Sequence, residues 1–293
     1  MYHMLAFLSG VILAVMVQMN GGLGERFGAY HAAWYVHMIG VAFAAVLLLV
    51  RKEFQKTFRR VPLWMYLGGV IGVLTTVFNN LSFAKISLTS IIALGLFAQL
   101  VFSCLIDTFG WFGMQKCGEK SWNIPGILLS LAGIVFMLEA SVRNGWRYVF
   151  LSLGDGITVV LSRTVNAHLA KRVGALPGSF INHLCGLPFC TLLAWSVPES
   201  VLGAKGHWWI WCGGILGVTI VVIFNIVVLK IPAYRLTLLS FCGQMFCGIL
   251  LDIGIGNGIN WREFGAGLLV AAGIVVSYIS SFGKNRKFMQ DSL

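Results

Sequence analysis

Two matching glutamine–aspartate stretches hold the first chemical interest of this sequence. Residues 98–107 read Ala-Gln-Leu-Val-Phe-Ser-Cys-Leu-Ile-Asp, and residues 243–252 read Gly-Gln-Met-Phe-Cys-Gly-Ile-Leu-Leu-Asp. Gln99 and Gln244 are 145 positions apart, and so are Asp107 and Asp252. Eight residues of helix rise about 12 Å, so each glutamine lies deep in its apolar run and each aspartate at the end. A primary amide offers donors and an acceptor without a charge. It either lines a solute cavity or bonds between helices. A carboxylate at the end of the run either carries a coupling proton, forms a gate, or caps a neighbouring helix.

Other polar residues interrupt apolar runs. His37 matches His183 at an offset of 146. A neutral imidazole titrates near physiological pH, so this pair either carries protons or packs as satisfied buried rings. Asn80 and Asn225, with Asn79, sit near run ends, where amides line a cavity or satisfy backbone groups. Asn20 and Asn166 are expected at helix ends or turns. Arg163 and Asp155 share one run. An unpaired charge there is costly, and Arg163 suits the anionic group of a solute. Trp34 belongs to an interfacial aromatic belt or reaches the cavity.

Several chemistries lack their motifs. The seven cysteines form no CxxC pair or Cys/His cluster, so no metal site is expected. There is no Walker A loop, HExxH or GxSxG, so neither direct ATP drive, an enzyme, nor a bound cofactor is expected.

The elements that position these residues follow from composition. The 293 residues are 58% hydrophobic and 11% charged, with a mean hydropathy of +0.86. A soluble domain carries about 25% charged residues. The chain reads as an all-α protein of the lipid bilayer. Ten apolar runs are expected to span it, at about 4–23, 30–50, 62–83, 87–107, 123–142, 148–169, 177–197, 208–229, 233–253 and 263–282. The net charge of +11 lies in the connecting loops, as membrane orientation requires, rather than in a nucleic-acid surface. With the N-terminus inside, the cytoplasmic loops and tail hold 14 Lys and Arg and the outer loops 6. Both termini are therefore expected in the cytoplasm, with Asp107 near the inner face and Asp252 near the outer.

The duplication reaches beyond the opening stretches. Asn20-Gly-Gly-Leu-Gly-Glu-Arg-Phe-Gly28 parallels Asn166-Ala-His-Leu-Ala-Lys-Arg-Val-Gly174. Trp64, Gly68, Gly69 and Gly72 parallel Trp209, Gly213, Gly214 and Gly217, and Lys85 parallels Lys230. The glycines form GxxxG steps that suit close helix packing. The units are residues 1–142 and 148–282, joined by a loop at 143–147 and followed by a polar cytoplasmic tail, 283–293. Five spans per unit is an odd number, so the second unit enters inverted. Inverted repeats characterise secondary transporters, with the substrate site near the midplane between units. A membrane scaffold or channel is the alternative, as monomer or homodimer.

The Asn-x-x-Leu-x-x-Arg-x-Gly segment, the Gly-Gly-x-x-Gly third run and the Gln-x7-Asp-x-Phe-Gly end of the fourth resemble the YdcZ-type family of the drug/metabolite transporter superfamily. The chain resembles two such five-helix units fused. The resemblance implies ten helices, a bacterial inner-membrane location and export of a small organic solute. The second unit departs from the pattern after Asp252, where Ile253-Gly254-Ile255-Gly256 replaces the Phe-Gly ending. Arg163 and Asp155 also stand where the first unit has Val17 and Ser9.

Overall fold

The computed structural model describes residues 1–83, 85–86, 88–114, 116, 124–197 and 207–254, with isolated helical positions between 261 and 276. Its helices are α1 (Tyr2–Phe27), α2 (Ala29–Val50), α3 (Leu67–Ser82), α4 (Leu88–Phe109), α5 (Ile124–Val173), α6 (Ala175–Trp195), α7 (Gly213–Val227) and α8 (Ala233–Gly254). No strand occurs among the described residues. Helices suit this sequence because apolar surroundings require every backbone polar group to be paired within its own segment.

Single glycines set the sharpest breaks. Gly28 separates α1 from α2 at φ 80°, and Gly174 separates α5 from α6 at φ 105°. A side chain is strained in that region, whereas glycine enters it freely. The two glycines are equivalent, so both units make the same turn. Short 3₁₀ segments, Leu63–Tyr66 and Trp208–Cys212, likewise lead into α3 and α7.

Among the described residues, six segments are long and apolar enough to cross a membrane: α1, α2, Ser90–Phe109, Gly145–Val173, α6 and Trp208–Val227. One difference from the sequence reading concerns the joint between units. The loop expected at 143–147 is helical, and α5 runs unbroken for 50 residues. At about 1.5 Å per residue this is roughly 75 Å, more than twice a hydrocarbon thickness. Thus α5 contains both the fifth and the sixth apolar runs. Arg143-Asn144-Gly145 holds no proline to stop it. The first part of α5 presents Leu128, Leu131, Val135 and Phe136 outward. Most of the tenth run, all of the tail and the side chain of Asp252 lie outside the described residues.

The two units exchange partners. The first helix of unit one, α1, packs on α7 and α8 of unit two. Its counterpart, the second half of α5, packs on α3 and α4 of unit one, and α2 pairs with α6. Glycines permit these approaches: Gly10 on α1 abuts the Ser240 carbonyl, and Gly156 on α5 abuts the Gly95 carbonyl. Gly69 meets the Asn182 carbonyl, and its counterpart Gly214 meets the Val36 carbonyl. Small residues let helices touch along their backbones, which drives association where lipid supplies no hydrophobic force. The reciprocal contacts give the units an approximate two-fold relation and leave polar residues of both along one seam.

Candidate functional site

Two histidines face one another across that seam. His37 Nδ1 lies 2.9 Å from the Ala33 carbonyl, and His183 Nδ1 lies 2.9 Å from the Ser179 carbonyl, each four residues back. A carbonyl only accepts, so each Nδ1 carries a proton, which leaves Nε2 as the nitrogen that can gain or lose one. The ring centroids are 5.6 Å apart, with planes at 47°. His37 rests on Gly186, where an added Cβ would meet its Cδ2 at 2.7 Å, and His183 rests on Gly40.

Both histidines line a cavity of about 90 Å³ built from α1, α2, α3, α5, α6 and α7. Its polar wall includes Thr75, Thr76, Arg163, Asn166, Asn182 and Asn225. Asn166 donates to Asn182 Oδ1 at 2.7 Å, while its own buried Oδ1 abuts Gly68. Asn20 Oδ1 abuts Gly213 in the same way. Neither oxygen has a conventional donor, and each occupies the place of the missing Cβ, as weak Cα–H···O contacts do.

Arg163 projects from α5, 3% exposed. One terminal nitrogen donates to Ser103 Oγ at 2.9 Å and to Thr237 Oγ1 at 2.6 Å. The other makes a long 3.5 Å contact to Gln99 Oε1. The guanidinium carbon stands 5.9 Å from the Phe224 ring centre, and Nε is buried without a partner. The hydrogen-bond acceptors around this cation are neutral. Asp107, four residues beyond Ser103, makes no ion pair with it; its Oδ2 accepts from the Tyr234 N–H at 3.1 Å, at the start of α8. Asp107 thus caps a neighbouring helix, where the helix dipole favours an anion.

Gln99 and Gln244 line one narrow pocket of about 20 Å³ with Asp155, Asn79 and Thr75. Gln244 Nε2 also donates to Ser240 Oγ at 3.2 Å. Asp155, 6% exposed, accepts from Asn79 Nδ2 at 2.8 Å, again a neutral partner. A third and wider space, about 550 Å³, is a vestibule lined by Asp107, Lys171, Lys230 and Asn225. Asn225 borders both the vestibule and the central cavity.

Other expected site residues fall elsewhere. Trp34 turns to α6, where Nε1 donates to Thr191 Oγ1 at 3.1 Å and the ring packs beside Tyr30 and Phe189. An indole N–H buried in apolar surroundings needs such an acceptor. Asn80 Nδ2 donates to the Ala29 carbonyl at 3.1 Å, and Asn225 Nδ2 to the Ala175 carbonyl at 3.0 Å. Both asparagines bind the start of the second helix of their own unit, and Asn225 reaches the cavity as well. Asn20 and Asn166 lie inside helices rather than at turns, because glycines opposite give them room.

Ser103, Thr237 and Asn182 were not singled out from sequence. Small hydroxyls are common in apolar helices, and only their convergence on Arg163 marks them. Asn182 has Val36 as its counterpart, so the repeat does not flag it. Among the described residues no group of three or more His, Cys, Asp or Glu side chains is placed to hold a metal ion.

Comparison with known proteins agrees with the duplicated architecture. A solved crystal structure, titled only "Crystal structure of protein", superposes with a TM-score of 0.69 at 14% identity, covering 96% of each chain. That likeness shows a shared fold. No curated protein matches the sequence. The family model described as "Putative inner membrane exporter, YdcZ" matches twice, over residues 1–136 and 147–276. The two matches meet within α5, where the repeat places its joint. This multi-pass inner-membrane chain, two like units packed reciprocally around a polar seam, belongs to the YdcZ family of drug/metabolite-type inner membrane exporters.

Proposed function

We propose that the protein is a secondary active transporter that moves a small organic solute out across the inner membrane by alternating access. On this reading ten runs span the membrane, which requires α5 to divide near residues 143–147 so that its halves cross in opposite directions, and the two units are inverted about an axis in the membrane plane. The observation that carries this reading is the reciprocal seat of His37 on Gly186 and of His183 on Gly40, at a polar cavity between the units. Inverted repeats exchange two access states by rocking about such a central site. The cavity is small and shares the wall residue Asn225 with the vestibule at Lys171 and Lys230. The charge bias puts those lysines inside, so the conformation has a contracted centre and a wider approach from the cytoplasm.

In this reading Gln99, Gln244, Asn225 and Arg163 contact solute. His37, His183, Asp107 and Asp252 are the candidates for proton coupling or gating, Asp107 through its hold on the start of α8, and ion-gradient coupling or exchange supplies the drive. The test is solute flux in proteoliposomes of the full chain, with and without an imposed proton gradient. Accumulation that follows the gradient is expected. Flux that equilibrates passively, or no flux for any member of a metabolite panel, would remove the reading.

A further inference from the structure

We infer that the transported solute carries a carboxylate and that Arg163 binds it; this rests on the transport reading above. The central observation is a buried cation without a contacting counter-ion. Arg163 is 3% exposed and lines the cavity between units, and its hydrogen bonds end on Ser103, Thr237 and Gln99, all neutral. Its Nε remains buried without an acceptor. Neutral acceptors satisfy N–H groups but supply no opposing charge; Asp107 acts on Arg163 only from beyond contact, and a buried cation without a carboxylate against it is costly. Asp107 is held by the Tyr234 N–H at the start of α8 and forms no ion pair with Arg163.

Repeat symmetry sharpens the case. The equivalent residue in the first unit is Val17, 6% exposed and packed in an apolar cluster. An apolar side chain therefore satisfies this position where only packing is needed, and the second unit alone carries a cation. The approach is basic on balance. Lys171 and Lys230, with the single carboxylate Asp107 tied to the start of α8, border the vestibule that shares Asn225 with the cavity, so an anion there meets two cations and one carboxylate. A planar carboxylate fits a guanidinium, which offers donors in a fixed fork. The side-chain oxygens of Ser103 and Thr237 can rotate their hydrogens to suit the bound state.

The experiment measures thermal unfolding of the full-length protein in detergent. The probes are benzoate, 4-hydroxybenzoate, pyruvate, lactate and glutamate, each beside its neutral or less anionic amide. At least one acid is expected to raise the midpoint where its amide does not. Arg163→Met should weaken that acid about 10- to 100-fold, the range for a hydrogen bond to a charged group, while Arg163→Lys retains part of the preference. If no acid stabilises the native sequence more than its amide, the proposal fails, whether or not either variant folds. Acid preference undiminished in folded Arg163→Met also overturns it. Acid binding without proteoliposome flux would keep the anion site and remove transport. Gradient-driven flux of a neutral solute without acid preference would do the reverse.

Discussion

His37 and His183 hold each other's helices apart by the width of an imidazole. Their ring centroids are 5.6 Å apart, and each ring occupies the space above a glycine on the opposite helix. Gly40→Ala and Gly186→Ala should each displace a ring whose Nδ1 is tied to its own helix. A loss of about 1–3 kcal/mol is expected, as for overpacking. Thermal unfolding in detergent measures it, with Gly254→Ala, which has no neighbour within 4 Å, as the neutral control. Equal midpoints for all three would show that α2 and α6 are not fixed by this contact.

Asp107 sets the start of α8. Asp107→Ala removes the acceptor of the Tyr234 N–H and should cost about 0.5–2 kcal/mol, the usual range for a lost cap. Asp107→Asn keeps an oxygen and should cost less. Unfolding midpoints that rank Asn with the native protein and Ala below both would support the cap. Ala and Asn behaving alike would exclude it.

Asp155 faces the amide of Asn79 across α3 and α5. Asp155→Asn can keep this bond by turning its oxygen toward Asn79 and removes a buried carboxyl, so stability should hold or rise. Asp155→Leu leaves Asn79 unpaired and should cost about 1–3 kcal/mol. A double-mutant cycle with Asn79→Ala checks the coupling; zero coupling energy would contradict it.

Gln99 and Gln244 border one narrow pocket. As solute contacts, Gln99→Ala and Gln244→Ala should weaken transport with little change in stability. As interhelical bonds they should lose about 0.6 kcal/mol of stability each and leave solute affinity intact. Paired measurements of affinity and unfolding on the same purified variants separate the two outcomes.

Lys230 tests orientation. In a cysteine-free background, Lys230→Cys should react with an impermeant thiol reagent in inside-out vesicles and stay unlabelled in intact cells. Labelling in intact cells would reverse the assignment of the vestibule to the cytoplasm.

The duplication, the helical class and the family were legible from residues alone, because they depend on composition and on matched spacing. A run of apolar residues must form a helix in lipid whatever its neighbours do, whereas the turns expected near Asn20 and Asn166 fall instead at Gly28 and Gly174. The glycine pairs were also legible as packing sites, but their occupants were not. That Gly68 receives Asn166 and Gly40 receives His183 depends on which helices cross, and the pattern of one helix does not contain the other. The continuity of α5 across 143–147 was missed, because Arg143-Asn144-Gly145 is polar like a loop yet holds no residue that forbids a helix. Trp34 could be placed near a span end, but Thr191 on α6, 157 positions away, decided where its indole turned. Arg163 stood out at once as a charge in an apolar run. Its neutral hydrogen-bond partners came only from the tertiary structure, because Ser103, Thr237 and Gln99 reach it from α4 and α8, 60 or more positions away in the chain.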